Sequence, residues 1–186
     1  MKKLWFSAAI LVLGFTAVNA QKIFTKEGNI SFYSDAPMEK IEASNTGATS
    51  VVDLESGRME FAVLIKGFQF EKALMQEHFN ENYMESSKFP KSTFKGEITN
   101  LAAINFNEDG TYAANIKGDL TIHGVTKTVE TTGQFVVKGG QISGNSTFTV
   151  LVADYGIEIP AVVKDNIAKE VKIMVDCAYQ ELKSKS

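Results

Sequence analysis

Two histidines, one cysteine and a scatter of carboxylates are the side chains in this sequence suited to covalent, acid–base or metal chemistry. A metal site needs three or four ligands at a recognisable spacing. His78 and His123 lie far apart, in different elements, and no further ligand is patterned around either. His78 falls in a helical stretch and His123 beside a turn, so no metal is expected. Cys177 belongs to the alternating run Val171, Ile173, Val175, Cys177, Tyr179. That setting suits a buried inert thiol, whereas a reactive one needs an electropositive, partly exposed site. Asp119 and Asp154 read as turn or hydrogen-bond anchors. The chain has no Gly-x-Ser-x-Gly turn and no Gly-rich phosphate loop. An enzyme acting on a lipid or quinone would need a polar cluster inside the fold, with His78, Tyr83 and Asp154 as its members. The sequence gives that reading little support, so no catalytic residue is assigned and an enzyme is not expected. What the chain has in quantity is apolar surface, including 13 Phe and 5 Tyr. On composition alone these either fill a core or line a lumen, and the filled core is the plainer reading.

The elements that would position these side chains are mostly strands. The chain has 186 residues and a net charge of -3, enough for one domain with a sizeable core. Residues 1–20 read as a Sec-type signal peptide: Lys2 and Lys3, an apolar run from Leu4 to Val18, then small residues ending at Ala20. Cleavage after Ala20 would start the mature domain, residues 21–186, at Gln21. The apolar run is short of the ~20 residues a membrane span needs, so no stable anchor is expected after cleavage, and the location is read as periplasmic or secreted. The only Arg is Arg58 and the Lys residues are scattered singly, which argues against nucleic acid as a partner. One cysteine makes no internal disulfide.

Alternation dominates after the signal. Strand candidates are a short run around Ile30 to Tyr33, Ile41–Ser44, Thr49–Leu54, Met59–Lys66, Lys91–Ala103, Tyr112–Ile122, Val125–Val137, Gln141–Val152 and Val171–Tyr179. Asp109-Gly110 and Lys138-Gly139-Gly140 supply turns. Phe70 to Ser87 breaks the pattern. Met75, Phe79 and Tyr83 recur every four residues and predict a helix of two to four turns that ends before Pro90. A second insertion, loop or short helix, is expected between Ile159 and Ala168. Eight or nine short strands joined by turns predict a sandwich or barrel. In Phe61–Ile65 and Phe148–Val152 both strand faces are apolar, which suggests one face lining a lumen and the other packed against the helix.

The segment Gly118-Asp119-Leu120-Thr121-Ile122-His123-Gly124-Val125-Thr126-Lys127-Thr128-Val129 resembles the signature of the YceI-like family. His78-Phe79-Asn80, Glu85-Ser86, Lys88-Phe89-Pro90 and Thr93-Phe94-Lys95-Gly96 match in order, as does Ala153-Asp154-Tyr155-Gly156-Ile157 near the end. The resemblance spans nearly all of the expected mature chain. It implies an all-β fold, an antiparallel lipocalin-like β-barrel of about eight strands with one or two short helical insertions. It also implies a non-enzymatic role: carrying or storing a long-chain isoprenoid lipid, either a polyprenyl lipid or an isoprenoid quinone, as ligand with no other cofactor. The residues expected to line the lumen are Phe61, Val63, Ile65, Phe68, Phe70, Phe79, Tyr83, Phe94, Leu120, Ile122, Phe135, Phe148 and Val150. A homodimer is compatible with this reading. The alternative is an envelope interaction or stress-response protein with a filled barrel.

Overall fold

A computed structural model describes residues 22–182; the expected signal segment, 1–20, lies outside the described residues. The strands are β1 (Lys22–Asp35), β2 (Lys40–Asp53), β3 (Arg58–Leu64), β4 (Gln69–Phe70), β5 (Lys91–Ile98), β6 (Gly110–Ile122), β7 (Val125–Lys138), β8 (Gln141–Leu151) and β9 (Glu170–Glu181). All pairings are antiparallel, in the order β1-β9-β8-β7-β6-β5-β3-β2, and β1 pairs again with β2. Among the described residues the sheet thus closes into an eight-stranded barrel. The two-residue β4 is an appendage on β2, with Ala43 opposite Phe70.

Period-two alternation decides which way each strand faces. In β6, Tyr112, Ala114, Ile116, Gly118, Leu120 and Ile122 turn inward, while Thr111, Asn115, Lys117 and Asp119 are exposed. Two hairpins are two-residue turns with positive φ at both positions: His123 (51°) with Gly124 (76°), and Gly139 (57°) with Gly140 (79°). That backbone follows the right-handed twist of the flanking strands. Glycine meets it without steric penalty; His123 does not.

Several boundaries differ from the sequence reading. Ile41–Ser44 and Thr49–Leu54 are one strand, β2. The pairing jumps from Gly28↔Ala48 to Ile30↔Asn45, so Thr46 and Gly47 form a bulge rather than a break. Asn45 holds the bulge. Its Nδ2 donates to the Leu64 carbonyl (2.9 Å), its Oδ1 accepts from Gly47 N–H (2.8 Å), and the residue is only 4% exposed. Asn45→Ala would remove both bonds and leave a buried gap at the bulge, and should lower stability by about 1 kcal/mol in urea unfolding. The first strand starts at Lys22 rather than near Ile30. The fifth ends at Ile98, and Leu101–Ala103 forms a 3-10 turn. The predicted helix is α1 (Ala73–His78) continued by a π turn over Phe79–Tyr83. The second insertion contains a 3-10 turn, Ala161–Val163.

The chain order assigns the two barrel ends. One end carries the turns after β2, β5 and β7 together with the outer ends of β1 and β9. It is plugged by a core of Ile23, Val52, Ile98, Ile104, Ala114, Phe135, Val137, Ile142, Cys177 and Tyr179, with Leu54, Leu101 and Phe106 packed against it. The other end carries the β1–β2 turn, the helical insertion, the His123-Gly124 turn and the long β8–β9 connection.

Candidate ligand cavity

Between the plugged end and the helical insertion lies a cavity of about 370 Å³, within the ~300–1,000 Å³ usual for small-molecule sites. Met59, Phe61, Phe94, Ile116 and Val175 border the cavity and also pack on the closed-end core, so they form its floor. Ile30, Phe32, Val63, Leu120, Phe148, Val150 and Ile173 make the wall. The roof has two parts. Met75, His78, Phe79, Tyr83 and Met84 come from the helical insertion; Ile157, Ile159, Val163 and Ile167 come from the β8–β9 connection.

An aromatic cluster joins wall to roof. Phe79 sits 5.4 Å from Phe32, 5.7 Å from Phe68 and 5.0 Å from Phe70, ring centre to ring centre. These are ordinary aromatic contact distances. The opposite side is tied by His123. Its Nε2 lies 2.9 Å from Glu85 Oε2, its Nδ1 3.2 Å from the Tyr155 carbonyl, and its ring centre 4.6 Å from that of Phe89. A turn residue in left-handed conformation thus joins the insertion, the β6–β7 hairpin and the β8–β9 connection.

The polar groups of the lining are largely absorbed by the wall. Ser146 Oγ donates to the Thr132 carbonyl (2.8 Å), and Ser34 Oγ accepts from Ala168 N–H (2.8 Å). Glu39 lies near the β1–β2 turn and pairs with Lys72 at 3.3 Å. Burial raises the Tyr83 phenol, and it raises that of Tyr155 with help from the Asp154 carboxylate, so both keep their protons at neutral pH. The interior therefore offers mostly apolar contact to a chain.

Twelve of the thirteen residues chosen from sequence border this cavity: Phe61, Val63, Ile65, Phe68, Phe70, Phe79, Tyr83, Phe94, Leu120, Ile122, Phe148 and Val150. Phe135 does not. It lies in the closed-end core, 5.3 Å from Phe106 and 6.3 Å from Tyr179 between ring centres. Alternation gives the inward face of β7 but not the height along the barrel. The helix also does not cover the outer strand faces: Leu64 is 64% exposed, and the helix instead caps the lumen. Ile30, Phe32, Met75 and Ile173 were within reach of the same periodic reading. Ile157, Ile159, Val163 and Ile167 were not, because a loop has no period. His78 and Tyr83 border the cavity, but Asp154 is exposed and absent from the lining, so that polar trio is not assembled.

Cys177 is buried in the plug, and desolvation pushes its thiol up to about 11. A thiol above its ordinary value is almost wholly protonated at pH 8. A disulfide reagent should leave it unmodified in the folded protein and react at once in denaturant; rapid native labelling would show the plug to be open.

The family model described as the YceI-like domain matches residues 13–179. Among solved structures, a polyisoprenoid binding domain from Saccharophagus degradans superposes with a TM-score of 0.75 at 12% identity, covering 88% of this chain and 99% of that one. BcnA of Burkholderia cenocepacia gives 0.67 at 15% identity, covering 82% and 96%. The YCEI protein of Campylobacter jejuni gives 0.52 at 18% identity, covering 99% and 100%. At these identities the likeness is one of fold. No curated protein sequence matches the chain.

Proposed function

Because the chain belongs to the YceI-like domain family, we propose that it carries or stores a polyisoprenoid, either a polyprenyl lipid or an isoprenoid quinone, in the barrel lumen. The observation that carries this reading is the shape and chemistry of the cavity. A floor and wall made mostly of aliphatic and aromatic side chains enclose about 370 Å³. Each buried CH₂ yields ~0.8 kcal/mol, so a few five-carbon units outweigh the cost of ordering the chain. A ligand insoluble in water gives a soluble carrier its purpose. The signal-like start of the sequence supports work in the periplasm or outside the cell, after removal of residues 1–20. The cavity favours this reading over the filled-barrel alternative. The role is read as binding without catalysis, which the mostly apolar lining supports.

The test is extraction of protein purified from its native host with organic solvent under denaturing conditions, followed by mass spectrometry. A stoichiometric isoprenoid would establish the role and name the cargo. An empty extract from protein that also fails to take up added polyprenyl lipid would overturn it.

A further inference from the structure

Three large apolar side chains at the mouth are left uncovered by the described residues. Met38 at the β1–β2 turn is 74% exposed, Leu74 on α1 61%, and Val162 in the β8–β9 connection 90%. They come from three separate segments, yet those segments are fastened together. Met38 N–H donates to the Asp165 carbonyl (3.0 Å), and Lys72 bridges to Glu39 (3.3 Å). Each tip also continues the lumen. Met75 and Val163, next in sequence to Leu74 and Val162, border the cavity, as does Glu39 next to Met38. Each tip has an exposed lysine two residues away: Lys40, Lys72 and Lys164.

We propose that this rim is a membrane-docking surface, on which Met38, Leu74 and Val162 enter the headgroup boundary of a phospholipid bilayer while Lys164 meets its phosphates. The proposal rests on the lumen being a lipid site, because it supplies the route by which a bilayer-resident chain reaches the cavity without crossing water. Isolated side chains on three tips suit a fluid surface, which closes around each one. They suit a second protein poorly, since a stable interface needs about 800 Å² of matched surface per partner. Lys40 pairs with Asp35 (3.6 Å) and Lys72 with Glu39 (3.3 Å), so the apolar tips, not net charge, supply most of the attraction.

The experiment uses vesicles of phosphatidylethanolamine and phosphatidylglycerol containing a fluorescent polyprenyl lipid, and in parallel the same lipid delivered from cyclodextrin. The variant is Met38→Ser with Leu74→Ser and Val162→Ser. All three sites are exposed and outside the cavity lining, so the fold and the lumen are untouched. Expected is uptake from vesicles about tenfold slower or worse, as loss of apolar insertion implies, with flotation on vesicles lost and uptake from cyclodextrin unchanged. Unchanged uptake from vesicles and unchanged flotation would overturn the rim but leave the carrier role standing. Failure of the parent protein to take up lipid from either source would overturn the carrier role itself, and the docking proposal with it. A dimer in the parent that the triple variant dissolves would assign the rim to a second copy instead of a bilayer and overturn the proposal.

Discussion

The double substitution Phe61→Asp with Phe148→Asp should abolish retention of an isoprenoid while leaving the barrel folded. Phe61 belongs to the floor, with its ring centre 6.3 Å from that of Phe94, and Phe148 belongs to the wall. Both border the cavity and are only partly buried, so an introduced carboxylate can draw water into the lumen instead of breaking the core. An apolar chain would then have to displace water from two charged groups. Such desolvation costs several kcal/mol per ion when no partner is present, and affinity should fall at least about a hundredfold (~2.7 kcal/mol). Circular dichroism should keep its strand signature, although removal of two aromatic side chains lowers the melting temperature. The Leu substitutions at the same sites serve as the control and should hold ligand within about tenfold, since size and polarity change little there. Acidification that neutralises the introduced carboxyls should restore part of the binding. Full retention by a folded Asp variant would mean that the ligand lies elsewhere.

Much of the barrel was legible in the sequence because a half-buried strand writes its two faces into alternate residues. Tyr112 to Ile122 and Val171 to Tyr179 were readable residue by residue. The failures have physical causes. A bulge shifts the alternation by one, so Asn45-Thr46-Gly47 resembled a break when it was a bend held by one buried amide. Thr25 to Gly28 hid the first half of β1 in the same way, through the register shifts against β2 and β9. Height along the barrel axis leaves no periodic trace, which is why Phe135 was placed at the ligand and belongs to the plug. Most of the roof contributed by the β8–β9 connection came from residues whose inward direction is set by tertiary contacts alone. The helix was visible through Met75, Phe79 and Tyr83, and these three do face one cavity; that they close its mouth and do not pad its outside required the fold.

The Gly96–Gly118 pair bears on how the floor is held. These residues sit opposite each other in β5 and β6, both on the inward face. Gly118→Val should be the most damaging single change in the signature segment. A Cβ there would stand 2.5 Å from Gly96 Cα, 2.5 Å from the Lys95 carbonyl oxygen and 2.6 Å from Phe94 Cζ. Two of these neighbours are backbone, so the ladder between β5 and β6 must spread, and the Phe94 ring that covers the glycine pair must lift into the cavity. Overpacking of this kind costs ~1–3 kcal/mol where side chains alone give way; with backbone in the path we expect about 3 kcal/mol or more, read from denaturant unfolding. Ligand capacity should fall as well, because the displaced ring occupies the lumen. A cycle with Phe94→Ala separates the two parts. Removing the ring relieves only the contact with Phe94 Cζ, so the double variant should recover lumen space but stay less stable than Phe94→Ala alone. Complete recovery of stability would mean that the ring carries the whole clash and that the close backbone approach of the two glycines is incidental.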